Sequence, residues 1–363
     1  MSQINWYDDD QIGSHMKTTK LGKSDISVTP LTVGCWQFGN GDYWGSHSQQ
    51  EANNVVSAAL DMGINSFDTA EVYNSGESER SLGIALRGLR DKAVVISKIS
   101  PSNCRHVRRQ CVESLQRLSM DYLDVYMIHW PINTLSVKHF ATNTQQIEAT
   151  PAIEDACRQL DELKKEGLIR SIGISNFGRI QMEEVVATGV QIDVNELTYN
   201  IVSRAIEAEI TPCCIEHNIS IISSMGLQQG LLAGIYQNAD DVPKHQAHSR
   251  HFANHRGKET SRHHEEGAEQ EIFEVVSQLR RIAADLKIPA AQLPIAWILK
   301  KSFIASTLVG TSNVDNLKMN VRAAMLDIPD EIEALIDKIS LPTLKKLGNS
   351  PDYYEHRSKS RTY

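Results

Sequence analysis

Positive charge is not in excess: 37 Lys and Arg stand against 45 Asp and Glu, for a net charge of −8. Binding to a phosphate backbone depends on clustered cations, so this balance argues against nucleic acid as the main ligand. No run approaches the roughly 20 consecutive apolar residues of a membrane helix, and no early stretch reads as a secretory leader. Cysteine is scarce, with Cys35, Cys104, Cys111, Cys157, Cys213 and Cys214 the only six. None forms a C-x-x-C pair, which leaves no zinc or redox motif, and six are too few for a disulfide scaffold. Reduced thiols in a cytoplasmic protein are expected, with the adjacent Cys213 and Cys214 as small helical residues. A Gly-rich Rossmann fingerprint is also missing.

What is present is ordinary globular material, 41% hydrophobic and 23% charged. Residues 1–16 are polar and aperiodic, and Gly13-Ser14-His15-Met16 resembles a cloning scar. This segment reads as a disordered tag-like or over-extended start, and Trp6 is set aside with it. From residue 17 to 363 a single domain is expected. Eight short runs rich in Val, Ile and Leu fall at 31–36, 65–68, 93–98, 122–129, 168–175, 191–196, 220–224 and 304–309. Helical stretches lie between them, for example 49–62, 77–89, 107–118, 153–166 and 271–286. Strand–helix alternation predicts parallel strands with crossover helices, and eight units predict a closed (β/α)8 TIM barrel. Runs at 17–21 and 26–29 predict a hairpin that plugs the bottom of the barrel.

Chemistry in such a barrel gathers at the C-terminal strand ends. Strand two ends in Asp68, strand three in Lys98 and strand four in His129, and Tyr73 follows Asp68 by five residues. Each residue alone has a plain reading: Tyr packs, a strand-end Lys snorkels, and a core His is satisfied locally. At one rim they make a tuned proton donor. An ammonium beside a phenol lowers its pKa from about 10, Asp68 anchors Lys98, and His129 bonds the reacting oxygen. A hydrolase would instead pair Asp68 with Glu71 or Glu77, which leaves Lys98 without a role.

These residues sit in longer motifs: Phe67-Asp68-Thr69-Ala70-x-x-Tyr73-x-x-Gly76-x-Ser78-Glu79, Ile96-Ser97-Lys98 and Asp124-x-Tyr126-x-Ile128-His129-Trp130-Pro131. Gly173-Ile174-Ser175-Asn176-Phe177, Tyr199-Asn200 and Gly230-Leu231-Leu232 follow. The ordered set, over residues 17–340, resembles the aldo-keto reductase family, in a bacterial-type branch with an extended loop after strand seven. The resemblance implies carbonyl reduction, or the reverse, by direct hydride transfer from a nicotinamide cofactor. Tyr73 is then the general acid in reduction and the base in oxidation, tuned by Lys98 and Asp68. NADP(H) is the family default and NAD(H) is possible. Contacts to the nicotinamide half are expected from Gly34, Cys35, Trp36, Ser175 and Asn176. Met225, Leu227 and Gly230 belong to a loop expected to wrap the pyrophosphate. Gly310, Ser312, Asn316 and Asn320 are expected around the adenosine.

Three departures stand out. Glu196 replaces the family's Gln and could accept from the carboxamide. Ser224 replaces a Tyr that stacks on the nicotinamide. Near Ser312 only Lys318 is cationic, which weakens the grip on a 2′-phosphate. An alternative is a non-catalytic, cofactor-binding redox sensor or regulatory subunit.

Trp36, Trp44 and Trp130 are expected to wall the substrate, an aldehyde or ketone that could be sugar-like. The polar loop 131–150 and the tail 341–363, with Tyr353 and Tyr354, are expected beside them. Residues 236–267, with His245, His248, His251, His255, His263 and His264, are expected to form a lid-like loop near the cofactor phosphates. Their spacing matches no zinc pattern, so no metal is expected. Oligomeric state stays open.

Overall fold

A computed structural model describes residues 16–148 and 150–362. The expectation for residues 1–15 lies outside these. Met16, assigned to the tag-like segment, packs against the core.

Eight parallel strands close into a barrel: β1 Leu31–Gly34, β2 Ser66–Asp68, β3 Val94–Ile99, β4 Leu123–Ile128, β5 Ile169–Ser175, β6 Val194–Thr198, β7 Ser220–Ser224 and β8 Ile304–Gly310. β8 pairs with β1 from Thr307↔Leu31 to Gly310↔Gly34, which closes the ring. The expected order and number of strands therefore hold, with ends shifted by up to three residues. The antiparallel pair Thr19–Lys20 and Ser27–Val28 is the expected hairpin. Leu21, Ile26 and Val28 pack with Ile96, Val125, Met127, Val194, Ile222 and Ala305 inside the barrel. Strand alternation sends these residues inward and their neighbours out toward the helices.

Helices Gln49–Asp61, Val107–Leu118 and Ile153–Lys165 form where apolar residues recur at helical spacing. Ser48 and Glu51 make a reciprocal capping box that starts the first of them. The segment 131–150 is not a simple loop. It folds into helices Thr134–Phe140 and Thr144–Glu148, the first capped by Asn133, which accepts from the Ser136 amide at 3.0 Å. Local capping outweighed the polar composition. Cys213 and Cys214 are free buried thiols in helix Ile210–His217. No helix among the described residues is long and apolar enough to cross a membrane.

Candidate active site

The C-terminal ends of the strands open into a cavity of about 940 Å³. β2 delivers Asp68 to its floor, and Tyr73 follows on a short helical turn, Tyr73–Gly76. Asn74 and Ser75 there hold φ of 48° and 55°, and Gly76 holds 88°. Left-handed non-glycine residues cost of order 1–3 kcal/mol each, so the surroundings must enforce this turn. Asn74 is held by the carbonyls of Trp36 and Phe38 at 2.9 and 2.8 Å. A side chain at Gly76 would meet Arg117 Cδ at 2.7 Å.

Lys98 Nζ lies 2.5 and 2.6 Å from the two Asp68 oxygens and 3.4 Å from the Tyr73 hydroxyl. His129 Nε2 also lies 3.4 Å from that hydroxyl. The four residues expected at the rim thus meet. Burial pushes the Tyr73 phenol above its ordinary value, and Lys98 opposes this without overcoming it. The expected net lowering is therefore reversed, because desolvation of a phenolate outweighs one ammonium already shared with carboxylates. Burial, then the Lys98 charge, holds His129 well below the usual imidazole range, so its ring is neutral at pH 7.

Glu71 and Glu77 do not form a catalytic pair with Asp68. Glu71 accepts from the Ser100 amide and Asn103, and Glu77 pairs with Arg80 in solvent.

Gly34, Trp36, Asn176, Glu196, Ser224, Met225, Leu227, Gly230, Gly310, Asn316 and Asn320 all line the cavity. Cys35, Ser175 and Ser312 do not. Cys35 is fully buried and its thiol faces the Val33 carbonyl at 3.5 Å. Ser175 Oγ accepts from the Asn176 side-chain amide at 3.0 Å. Asn313 caps helix Val314–Ala324 and accepts from the amides of Asp315 and Asn316. The cap satisfies both of those amides within the helix. Asn176, Met225, Gln228 and Gln229 have φ between 46° and 61°. Strained backbone therefore recurs at this cavity's wall and around Tyr73.

Among the described residues, four buried polar atoms on the cavity lining make no hydrogen bond: Gln37 Nε2, Trp44 Nε1, His129 Nδ1 and Glu196 Oε2, the last being within ion-pair distance of Lys98. Unpaired buried polar groups are costly and point to a polar ligand. A dinucleotide with a small substrate fits both the volume and these polar groups.

Trp36, Trp44 and Trp130 line the other part of the cavity, joined by Tyr43, Phe140, His248, Tyr354 and Arg361. Trp36 stacks on Tyr43 at 4.9 Å and on Tyr73 at 5.7 Å. The loop after β7 packs here. Tyr43 donates to the His245 carbonyl at 3.3 Å, and His248 stacks on Tyr354 at 5.2 Å. Arg250 is fully buried and binds the carbonyls of Leu347, Ser350 and Asp352. Tyr353 lies behind the wall, with its ring 4.6 Å from that of His251. His251 and His263 are buried in this loop. Burial pulls His251 down to about 3 and His263 to about 4. No group of three metal-ligating residues occurs among the described residues.

The tail is latched by a buried pair. Arg361 donates to both Asp352 oxygens at 2.8 Å and stacks 3.8 Å over Trp130. Burial raises the Asp352 carboxyl, but Arg361 reverses this and holds it below its ordinary value. A depressed carboxylate pKa stabilises the fold above the unfolded value of about 3.9, and this is lost as pH falls through the folded value. Acid should therefore release the tail below about pH 4, while Asp352→Asn should abolish that step. Trp130 fluorescence against pH in the two proteins checks it.

The model of the Aldo/keto reductase family matches residues 30–341. The chain belongs to this family. An NADH-specific methylglyoxal reductase of Escherichia coli is 30% identical, over 90% of this chain and 98% of that one. A probable voltage-gated potassium channel subunit beta of Arabidopsis thaliana is 29% identical, over 89% and 95%. An aldo/keto reductase of Klebsiella pneumoniae, solved with NADP and acetate, superposes with a TM-score of 0.68 at 23% identity, over 94% and 100%. Aldo/keto reductase membership makes the chain an oxidoreductase, with carbonyl reduction as its general chemistry.

Proposed function

We propose that this aldo/keto reductase interconverts a small aldehyde or ketone and its alcohol, with Tyr73 as the proton-transfer group. One observation carries the reading: the Tyr73 hydroxyl lies 3.4 Å from both Lys98 Nζ and His129 Nε2 at the floor of the cavity. A bound nicotinamide dinucleotide supplies the hydride. Asn176, the segment 224–230, Gly310, Asn316 and Asn320 would hold that dinucleotide. Tyr73 gives its proton to the carbonyl oxygen in reduction and takes it back in oxidation. Neutral His129 orients that oxygen, and Lys98 offsets charge that develops on Tyr73. Trp36, Trp44 and Trp130 keep water from the reacting carbon and suit a substrate with an apolar or sugar-like face.

Nicotinamide absorbance, followed with NADPH or NADH and a panel of 2-oxoaldehydes, sugar aldehydes and aromatic aldehydes, tests this. Turnover supports it. Saturable nucleotide binding without turnover favours a redox-sensing or regulatory subunit, and no binding overturns both readings.

Neither Lys nor Arg appears among the cavity-lining residues around Asn316, Met319 and Asn320. Lys318 is engaged with Asp315 at 3.5 Å. A charge-assisted contact to a 2′-phosphate is worth about 1.5–3 kcal/mol. Asn316→Arg should therefore raise the ratio of NADPH to NADH affinity about tenfold. Fluorescence titration with each nucleotide checks it.

A further inference from the structure

Lys98 is faced by two carboxyls where an ion pair needs one. Glu196 Oε2 lies 3.3 Å from its Nζ, in addition to both Asp68 oxygens. The exposures are 0% for Lys98, 1% for Asp68 and 4% for Glu196. Glu196 Oε2 accepts no hydrogen bond. Strand alternation explains its place. Val194, Glu196 and Thr198 share one face of β6: Val194 packs in the barrel interior, and the other two line the cavity. Asn195 and Leu197 face the other way, Asn195 donating to the Phe177 carbonyl at 3.0 Å.

We propose that Glu196 is a positioning residue for proton transfer: its carboxyl beside Lys98 offsets the pull of the ammonium on the Tyr73 proton. The inference deepens the reductase reading above and rests on it for its catalytic consequence. Lys98 has few protons to share. It donates to Asp68, to the Thr69 carbonyl at 3.1 Å and to Tyr73. A carboxyl on its remaining side draws charge away from the phenol. The other titratable groups around Lys98 and Glu196 are Asp68 from β2, and Tyr73 and His129 from the loops after β2 and β4, with the buried Cys35 thiol on the outer side of β1. Burial and then Glu196 push Asp68 upward. On Tyr73, burial raises and Lys98 lowers, while Asp68 and Glu196 add to the rise. Glu196 thereby keeps the proton on Tyr73 until oxygen charge develops in reduction, and places oxidation at higher pH.

Glu196→Gln keeps the shape and removes the charge. The test is tyrosinate absorbance of the nucleotide-free protein against pH, with the Tyr73→Phe curve subtracted, beside the pH profile of alcohol oxidation. The Tyr73 ionisation should fall by about one pH unit, and oxidation kcat below that pH should rise about tenfold. Glu196→Ala should give the same direction, and Glu196→Asp, which keeps the charge, a smaller shift. Superimposed tyrosinate curves for the wild-type protein and both neutral variants would overturn the inference. A shifted curve in a protein that turns over no carbonyl or alcohol would uphold it and remove the reductase reading instead.

Discussion

Tyr73→Phe should lower kcat by roughly 10²–10⁴ while nucleotide affinity stays within about twofold, because positioned proton transfer contributes on that scale. The substitution removes one oxygen and little else. The ring keeps its stack on Trp36 at 28° and its place 5.1 Å from the Lys98 ammonium. The hydroxyl is the group within reach of both Lys98 and His129. Steady-state kinetics in both directions, with a Trp fluorescence titration of nucleotide, separate the two effects. Equal turnover in the variant would remove Tyr73 from its assigned role. Because burial holds the phenol protonated, reduction by the wild-type protein should vary little around neutral pH. Oxidation should rise as the solution becomes alkaline, since only the ionised form takes a proton.

Lys98→Met should be the most damaging change to stability and should remove turnover with it. Lys98 is fully buried and held above its ordinary pKa: burial pulls it down, and Asp68 and Glu196 more than reverse this. Without it, two carboxyls face each other in a water-poor site. Removing one partner of a buried ion pair costs about 3–5 kcal/mol, because the other charge stays uncompensated. Part of that cost is relieved where the carboxyls take up protons, so the variant should regain stability as pH falls toward 5. Urea unfolding at two pH values reads both effects. A variant as stable as wild type at neutral pH would mean that the ion cluster contributes nothing to the fold.

Much of the architecture was legible in the sequence because barrel strands are short, buried on both faces and separated by amphipathic helices. The runs at 220–224 and 304–309 needed at most one residue of adjustment. Helix Val107–Leu118 matched its apolar spacing. Asp68, Tyr73, Lys98 and His129 could be placed at one rim because parallel strands put all C-terminal ends on the same side. Cys35, on the outer face of β1 with Leu31 and Val33, was misplaced for the same reason in reverse. Proximity to a strand end does not say which face a side chain takes, and one residue changes it.

Other features have no local signature. Glu196 reads as a cofactor contact in sequence, yet its partner Lys98 lies 98 positions away on a strand that is not its neighbour. Nothing local to Arg250 or Arg361 signals that the tail folds back and buries both. The sequence alone determined the barrel, the order of its strands and the identity of the four residues at its rim. Those follow from periodicity and from chemistry carried within a few residues. Tertiary structure alone decided the sign of the Tyr73 shift, the second carboxyl on Lys98 and the wall built from tail and loop. These depend on desolvation and on contacts between distant segments, and both arise only when the chain closes around them.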